Sequence, residues 1–514
     1  MFGFLREHVS GSQRSSEGVG SFWHVTDWHA NLHQPGNPNP CDMCRSALLP
    51  GQSCEHPPAG RFGHVECDPE ISSWRHALKM MRQIQSHPDF LMAGGDWFGH
   101  VAPEHNHGAA VQEAATRLAE ELQSSFFDVP VLHAIGNHDT WPYYSLSPAW
   151  RTLSAGWKRS PLLGERYLQA SLHAPIFSPS VTPPFVTPQL PDWPLPFVFG
   201  FDEQRNFPNA AHADWRAGGY YARRLPGGRL LAIVLNTNAL ALGGGQRQLD
   251  WLSDRLSKAR AHRLRVMLFG HIPPGPSHFE FDSICLRGHY YARAGGACWR
   301  PPAQRRLLEL IREYSDLMPA SFWGHHHTES IRLIPRDPQD PAAREALAPE
   351  VLVPHVMFLS PSLTPRNPPH SPAVRLVHFE RSSGHVLNVT DFSFDLPSAN
   401  ARGEATWTAA SPLNELELRC LNATEWQRVL RGMLFSDEPH SQRELNAEDP
   451  FLRMYTPQRC AQQVYIESGP PSLPPLRRCK LAVLCAMLYL EDVPYARCLS
   501  GTSLGAHKFE QTLK

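Results

Sequence analysis

The chain has 514 residues, 42% hydrophobic and 19% charged, the profile of a globular protein with room for a large core. Its 48 Lys and Arg nearly cancel its 49 Asp and Glu, so no overall field draws it to nucleic-acid polymers or an anionic membrane, and an anionic substrate must be held locally. No run approaches the roughly 18 apolar residues that span a bilayer, and with 28 histidines only spacing carries information.

Residues 1–20 are polar and rich in Gly and Ser, without the apolar stretch of a secretory signal, and read as a flexible tail. From residue 21 onward, short apolar runs alternate with amphipathic stretches, the mark of layered α/β architecture. Phe22 to Thr26, Phe90 to Ala93, Val129 to Ile135, Leu230 to Leu235, Val266 to Phe269 and Ala320 to Trp323 read as buried strands. Helical spacing links Trp74, Leu78 and Met81; Val111, Ala115, Leu118 and Leu122; and Leu307, Ile311, Tyr314 and Met318. A Pro- and aromatic-rich stretch, about 145–214, reads as an irregular surface excursion, because proline fixes the backbone and removes donors. Strands at Val351 to Leu359, Val374 to Phe379 and Val386 to Phe394 are expected to form the second sheet of a sandwich flanked by helices. This catalytic unit ends near residue 399, and 400–514 reads as a small helical, cysteine-containing subdomain in which the apolar run Leu481 to Leu490 is a buried helix.

Eleven cysteines are present, and Cys41 with Cys44 lacks the second short-spaced pair that a zinc finger needs. Disulfides in an oxidising compartment fit better, and the sequons at Asn388 and Asn422 agree with a secreted or lumenal glycoprotein. The missing secretory signal conflicts with this reading, and a truncated or atypical start would reconcile them.

Five of the expected strands run into metal-ligand residues. Asp27 and His29 follow the first, Asp96 the second, Asn137, His138 and Asp139 the third, His271 the fifth, and His325, His326 and His327 the sixth. Strand C-terminal ends are where open α/β sheets form their binding crevice. Two carboxylates, one asparagine and four histidines make a mixed oxygen and nitrogen set suited to zinc, iron or manganese. Asp96 stands alone on its turn and is the candidate bridge between two ions. Asp27, His29 and His327 complete one site, and Asn137, His271 and His325 the other.

The ordered set Asp27-x-His29, Gly95-Asp96, Gly136-Asn137-His138-Asp139, Gly270-His271 and Gly324-His325-x-His327 resembles the calcineurin-like metallophosphoesterase signature. More narrowly, Phe22-Trp-His-Val-Thr-Asp27, Gly136-Asn-His-Asp-x-Trp-Pro142, Asn236-Thr-Asn238, Gly270-His-Ile-Pro-Pro-Gly275 and Phe322-Trp-Gly-His-x-His327 are similar to the acid sphingomyelinase-like branch, as are Cys485-Ala-Met and Tyr495-Ala-Arg-Cys498. The resemblance implies a four-layer αββα sandwich and two divalent ions, zinc foremost. It implies hydrolysis of phosphodiesters or nucleotide pyrophosphates by a metal-bridging hydroxide. His138 and His100 stand at positions that the family uses to protonate the leaving group, and Asp139 is placed to orient His138 or to cap its turn.

The resemblance also pairs Cys485 with Cys498, offers Cys460 or Cys420 to Cys479, and closes Cys67 onto Cys44 or Cys54. Two departures stand out. His326 lies where relatives carry a small or hydroxyl residue, and Trp97 and Phe98 follow Asp96 where relatives have smaller ones, so these two rings are expected to narrow the pocket or stack a flat substrate group. No saposin-like module is encoded, which favours a small soluble substrate over sphingomyelin. A non-catalytic lipid- or receptor-binding protein with a structural metal centre is the competing class. A peripheral membrane contact and the oligomeric state are left open.

Overall fold

A computed structural model describes residues 18–100, 117–139, 214–276, 299–335, 354–435 and 473–491, less single positions and short gaps, with scattered residues between 445 and 498. Two six-stranded sheets form its centre. The first has the order β12-β11-β10-β1-β2-β3 and the second β4-β5-β6-β7-β9-β8. In the first, β1 (Val19–Val25), β2 (Phe90–Ala93) and β3 (Val131–His133) run parallel, and β10 (Ala373–Glu380), β11 (Val386–Ser393) and β12 (Thr408–Ala410) continue antiparallel. In the second, β5 (Leu230–Val234), β6 (Arg265–Phe269), β7 (Ala320–Trp323) and β9 (His355–Leu359) are parallel, edged by antiparallel β4 (Tyr221–Arg224) and β8 (Ser330–Ile334).

Alternation along the strands builds four layers. Phe22 points between the sheets, its ring centroid 5.1 Å from Phe322 and 5.8 Å from Phe269. Its neighbour Trp23 points outward, where its indole N–H donates to Gln85 O just past the helix Ile71–Ile84. In β6, Met267 and Phe269 join the core between the sheets, whereas Val266 and Leu268 pack with Leu252, Leu307 and Ile311 of the outer helices Gln246–Ala261 and Pro301–Glu313. Strands covered on both faces read as near-continuous apolar runs, which is why the sequence shows them as runs. The α/β sandwich expected from the sequence is therefore present.

The late strands are distributed differently from expectation. β9 joins the sheet of β5 to β7, but β10 pairs with β1 and β11 with β10 in the first sheet, and β12 carries that sheet to Ala410. The expectation grouped them by their order in the chain, whereas β10 pairs with β1 across most of the sequence. The helix over Leu307 and Ile311 stops at Glu313, leaving Tyr314 and Met318 in the turn beyond it. Leu118 and Leu122 are buried helical residues, and Val111, Ala115 and the stretch 145–213 lie outside the described residues.

In the C-terminal part, the helix Pro475–Leu488 is buried along its length from Cys479, as the apolar run predicted. No helix among the described residues is long and apolar enough to cross a membrane. Disulfides join Cys41 to Cys54, Cys44 to Cys67 and Cys485 to Cys498. Cys479 is also disulfide-bonded, Cys420 is free, and Cys460 lies outside the described residues. Asn422 is exposed, and its side-chain oxygen accepts from Glu425 N–H, opening the helix Ala423–Phe435. Asn388 is half-buried in β11, donating to Thr390 and accepting from Ser411.

Candidate metal centre

The turns that follow β1, β2, β3, β6 and β7 meet at one end of the paired sheets. Asp27, His29, Asp96, His325 and His327 all have left-handed backbone, with φ between 43° and 70°, and they make up five of the nine such non-glycine residues described. Each costs about 1–3 kcal/mol, so the strain concentrates where the side chains must converge. At Gly136 a Cβ would stand 2.1 Å from Asp96 Oδ1, so only glycine lets the β3 turn approach the β2 turn this closely.

Hydrogen bonds then divide each carboxylate into a held and a presented oxygen. Asp27 Oδ2 accepts from Thr26 Oγ1 at 2.7 Å and His325 N–H at 2.8 Å, while its Oδ1 is buried without a hydrogen-bond partner. Asp96 Oδ1 accepts from His138 N–H at 2.7 Å, and its Oδ2 stands 3.5 Å from His29 Nε2 and 3.2 Å from His271 Nε2. The imidazoles are prepared likewise. His271 Nδ1 donates to Gly94 O at 2.8 Å and His327 Nδ1 to Arg366 O at 2.6 Å, which leaves each Nε2 lone pair facing inward.

Two cages result. Asp27, His29 and His327 form one, with His29 Nε2 to His327 Nε2 at 3.2 Å and His327 Nε2 to Asp27 Oδ1 at 3.3 Å. Asp96, His271 and His325 form the other, with Asn137 Oδ1 3.1 Å from His271 Nε2. Ligands bound about 2.0–2.2 Å from one ion stand roughly 3–4 Å from one another, and the first cage spans that range, from 3.2 Å between His29 and His327 to 4.0 Å between His29 Nε2 and Asp27 Oδ1. A buried carboxylate oxygen with no donor is what a cation would occupy. All seven residues expected as ligands meet here, and the donor set fits two divalent ions, with Asp96 Oδ2 between the cages. His326 does not join them, since its Nδ1 lies 3.5 Å from Arg332 on the buried side.

Charge among these side chains follows the same layout. Burial opposes charge on His271, yet the Asp96 and Asp27 carboxylates push it up to about 9. Burial alone would raise Asp27, but His271 and His327 hold it well below the usual carboxylate range. Burial, with the His100 and His138 rings close by, keeps His29 far below the ordinary histidine value.

Both expected proton donors border the first cage: the His100 ring stacks on His29 at 4.6 Å, and His138 lies 4.7 Å from His29 and 4.2 Å from His100. Asp139 takes the second of the two parts expected of it, the capping of its own turn, and reaches the neighbouring turn as well. Its carboxylate accepts from the backbone N–H of Asp96, Trp97 and Gly136 at 2.8–2.9 Å, so it locks two ligand turns together. Trp97 and Phe98 are corrected. They are 2% and 4% exposed, and Trp97 packs 5.1 Å from Trp28 and 5.2 Å from His133, so both rings belong to the core and neither is open to a substrate.

One residue escaped the sequence reading, and two more were noted there only as part of a motif. Asp68, buried beside the Cys44–Cys67 disulfide, accepts from His100 N–H and holds His100 Nδ1 at 3.1 Å from both of its oxygens. Thr237 Oγ1 accepts from Ile272 N–H at 2.9 Å, and Asn238 Nδ2 donates to Gly136 O at 2.8 Å, so the Asn-Thr-Asn segment braces the His271 and Asn137 turns. Only the Asn-Thr-Asn motif carried a sequence signal; a lone aspartate after a cysteine carries none.

A family model described as calcineurin-like phosphoesterase matches residues 20–329, more than half of the chain. The chain belongs to the calcineurin-like phosphoesterase family. Among relatives of this phosphoesterase, the human acid sphingomyelinase-like phosphodiesterase 3b is 25% identical over 417 residues, covering 77% of this chain and 75% of that protein. The human cyclic GMP-AMP phosphodiesterase SMPDL3A is 22% identical over 505 residues, covering 95% and 92% respectively. The sphingomyelinase phosphodiesterase C of Dictyostelium discoideum is 24% identical over 401 residues, covering 76% of each. This phosphoesterase is accordingly a metal-dependent phosphodiester hydrolase with a dinuclear centre.

Proposed function

We propose that the chain hydrolyses small soluble phosphodiesters or nucleotide pyrophosphates, with zinc as its metal. The carrying observation is Asp96 Oδ2, set within 3.5 Å of one histidine from each cage. Asp27, His29 and His327 would hold one ion, Asn137, His271 and His325 the other, and Asp96 both. When bound, the pair supplies positive charge to phosphoryl oxygens and lowers the pKa of a coordinated water.

The remaining work falls to the chain. Asp68 holds the His100 imidazole by Nδ1, leaving Nε2 to carry a proton to the departing oxygen. Asp139 keeps the Asp96 and Asn137 turns in register through backbone N–H groups. The disulfides support an oxidising location, either secreted or in the lysosomal lumen.

A panel of nitrophenyl phosphodiesters, nucleotide pyrophosphates, cyclic dinucleotides and sphingomyelin on zinc-loaded protein tests the reading. Turnover of the soluble compounds that is abolished by a chelator supports it. Preference for sphingomyelin, or turnover of none, rejects it.

A further inference from the structure

Arg366 sits beside the first cage, and among the described residues no carboxylate forms an ion pair with it. Its backbone carbonyl accepts from His327 Nδ1, so the residue lies one imidazole away from Asp27 Oδ1. Its side chain is half-buried, and the guanidinium Nε is buried without a hydrogen bond. Buried N–H groups of arginine are ordinarily paired, and an unpaired one calls for an acceptor. Asp68 feels its charge, held low against burial first by His100 and then by Arg366. Asp68 is taken by His100, and no ion pair joins it to Arg366.

The cage itself needs no further cation. Two divalent ions there would neutralise the scissile phosphoryl group, so a guanidinium on the residue that supports His327 is surplus for a substrate with a single phosphate. Its planar fork suits a phosphate by two parallel hydrogen bonds, and its partial burial shields that contact from water. We propose that Arg366 is a specificity residue that receives a second phosphoryl group of the substrate, next to the one held at the metal centre. This rests on the phosphodiesterase reading and narrows it to compounds with two or more linked phosphates.

Because His327 is supported by the backbone carbonyl of Arg366, replacing the side chain leaves that hydrogen bond in place. Binding of inorganic pyrophosphate and inorganic phosphate to zinc-loaded protein is measured by calorimetry for the native chain, Arg366→Ala and Arg366→Lys. Metal content and thermal midpoint serve as checks on folding. The native protein is expected to bind pyrophosphate at least tenfold tighter than phosphate, Arg366→Ala to lose most of that preference, and Arg366→Lys to fall between.

In parallel, kcat/KM is measured for a triphosphate nucleotide and for the p-nitrophenyl ester of a nucleoside monophosphate. The ratio of the two is expected to drop tenfold or more in Arg366→Ala, mainly through KM. Equal losses on both compounds, or an unchanged pyrophosphate preference, would overturn the proposal. A native protein that prefers pyrophosphate yet turns over neither compound would leave the specificity standing and remove the reaction.

Discussion

Asp139 Oδ2 accepts the backbone N–H of Asp96 at 2.9 Å, so the carboxylate that stands between the two cages is positioned by a second carboxylate acting through the main chain. Asp139 also takes the N–H groups of Trp97 and Gly136.

Removing it should therefore cost fold and metal together. In Asp139→Ala, three buried N–H groups lose their acceptor, at about 1–3 kcal/mol each. Urea unfolding should show a loss of about 3 kcal/mol or more, and metal analysis should show reduced occupancy. Asp139→Asn can keep only part of this, since its amide nitrogen cannot accept.

Asp68 acts through His100. If it positions a proton donor, Asp68→Asn should lower turnover most where the leaving group is poor. A roughly 10- to 100-fold drop in kcat is expected for an alkyl phosphodiester, against a much smaller drop for a nitrophenyl diester, whose leaving group departs without help. Equal losses would mean that Asp68 only shapes the loop.

Arg375 ties the two sheets together. Its guanidinium pairs with Asp391 through Nε to Oδ1 and Nη2 to Oδ2, both at 2.7 Å, and its Nη1 donates to Leu359 O at 2.9 Å. Arg375→Met takes the bidentate partner from a nearly buried carboxylate, and chemical denaturation should register a loss of ~3–5 kcal/mol. Arg375→Met combined with Asp391→Leu should recover much of it.

Stability should fall in mild acid. His355 is buried between Ser321 Oγ and Met318 O, and burial pulls it down to about 4; burial likewise holds His133 at about 3. Both are neutral in the folded chain and protonate in the unfolded chain below pH ~6.5, so the unfolded state binds more protons and stability drops as pH falls from there toward 4. His355 alone accounts for about 3 kcal/mol of that slope. Urea midpoints measured at intervals from pH 7 to pH 4 should fall steadily, and His355→Gln should flatten the curve.

The parts legible in the sequence share a physical cause. β1, β2, β6 and β7 are covered on both faces, so their apolar runs stood out, and each runs into one or more ligand residues whose order could be read directly. β4 and β8 did not stand out, because Tyr221–Arg224 is an edge strand and Ser330–Ile334 carries the buried Arg332. The pairing of β10 with β1 is a long-range choice with no local mark. Trp97 and Phe98 misled because adjacency to Asp96 in the chain says nothing about which way a ring turns, and here both turn into the core. Asp68 and Arg366 reach the site from segments with no motif around them, so only the folded backbone brings them there.

The central claim is that Asp96 is shared by two ions, and bound metal per chain tests it most directly. Elemental analysis of protein dialysed after zinc loading should give two ions per native chain, one or fewer for Asp96→Ala, and one for His325→Ala. A native chain that holds at most one ion at saturation, or an Asp96→Ala protein that still holds two, would contradict the account.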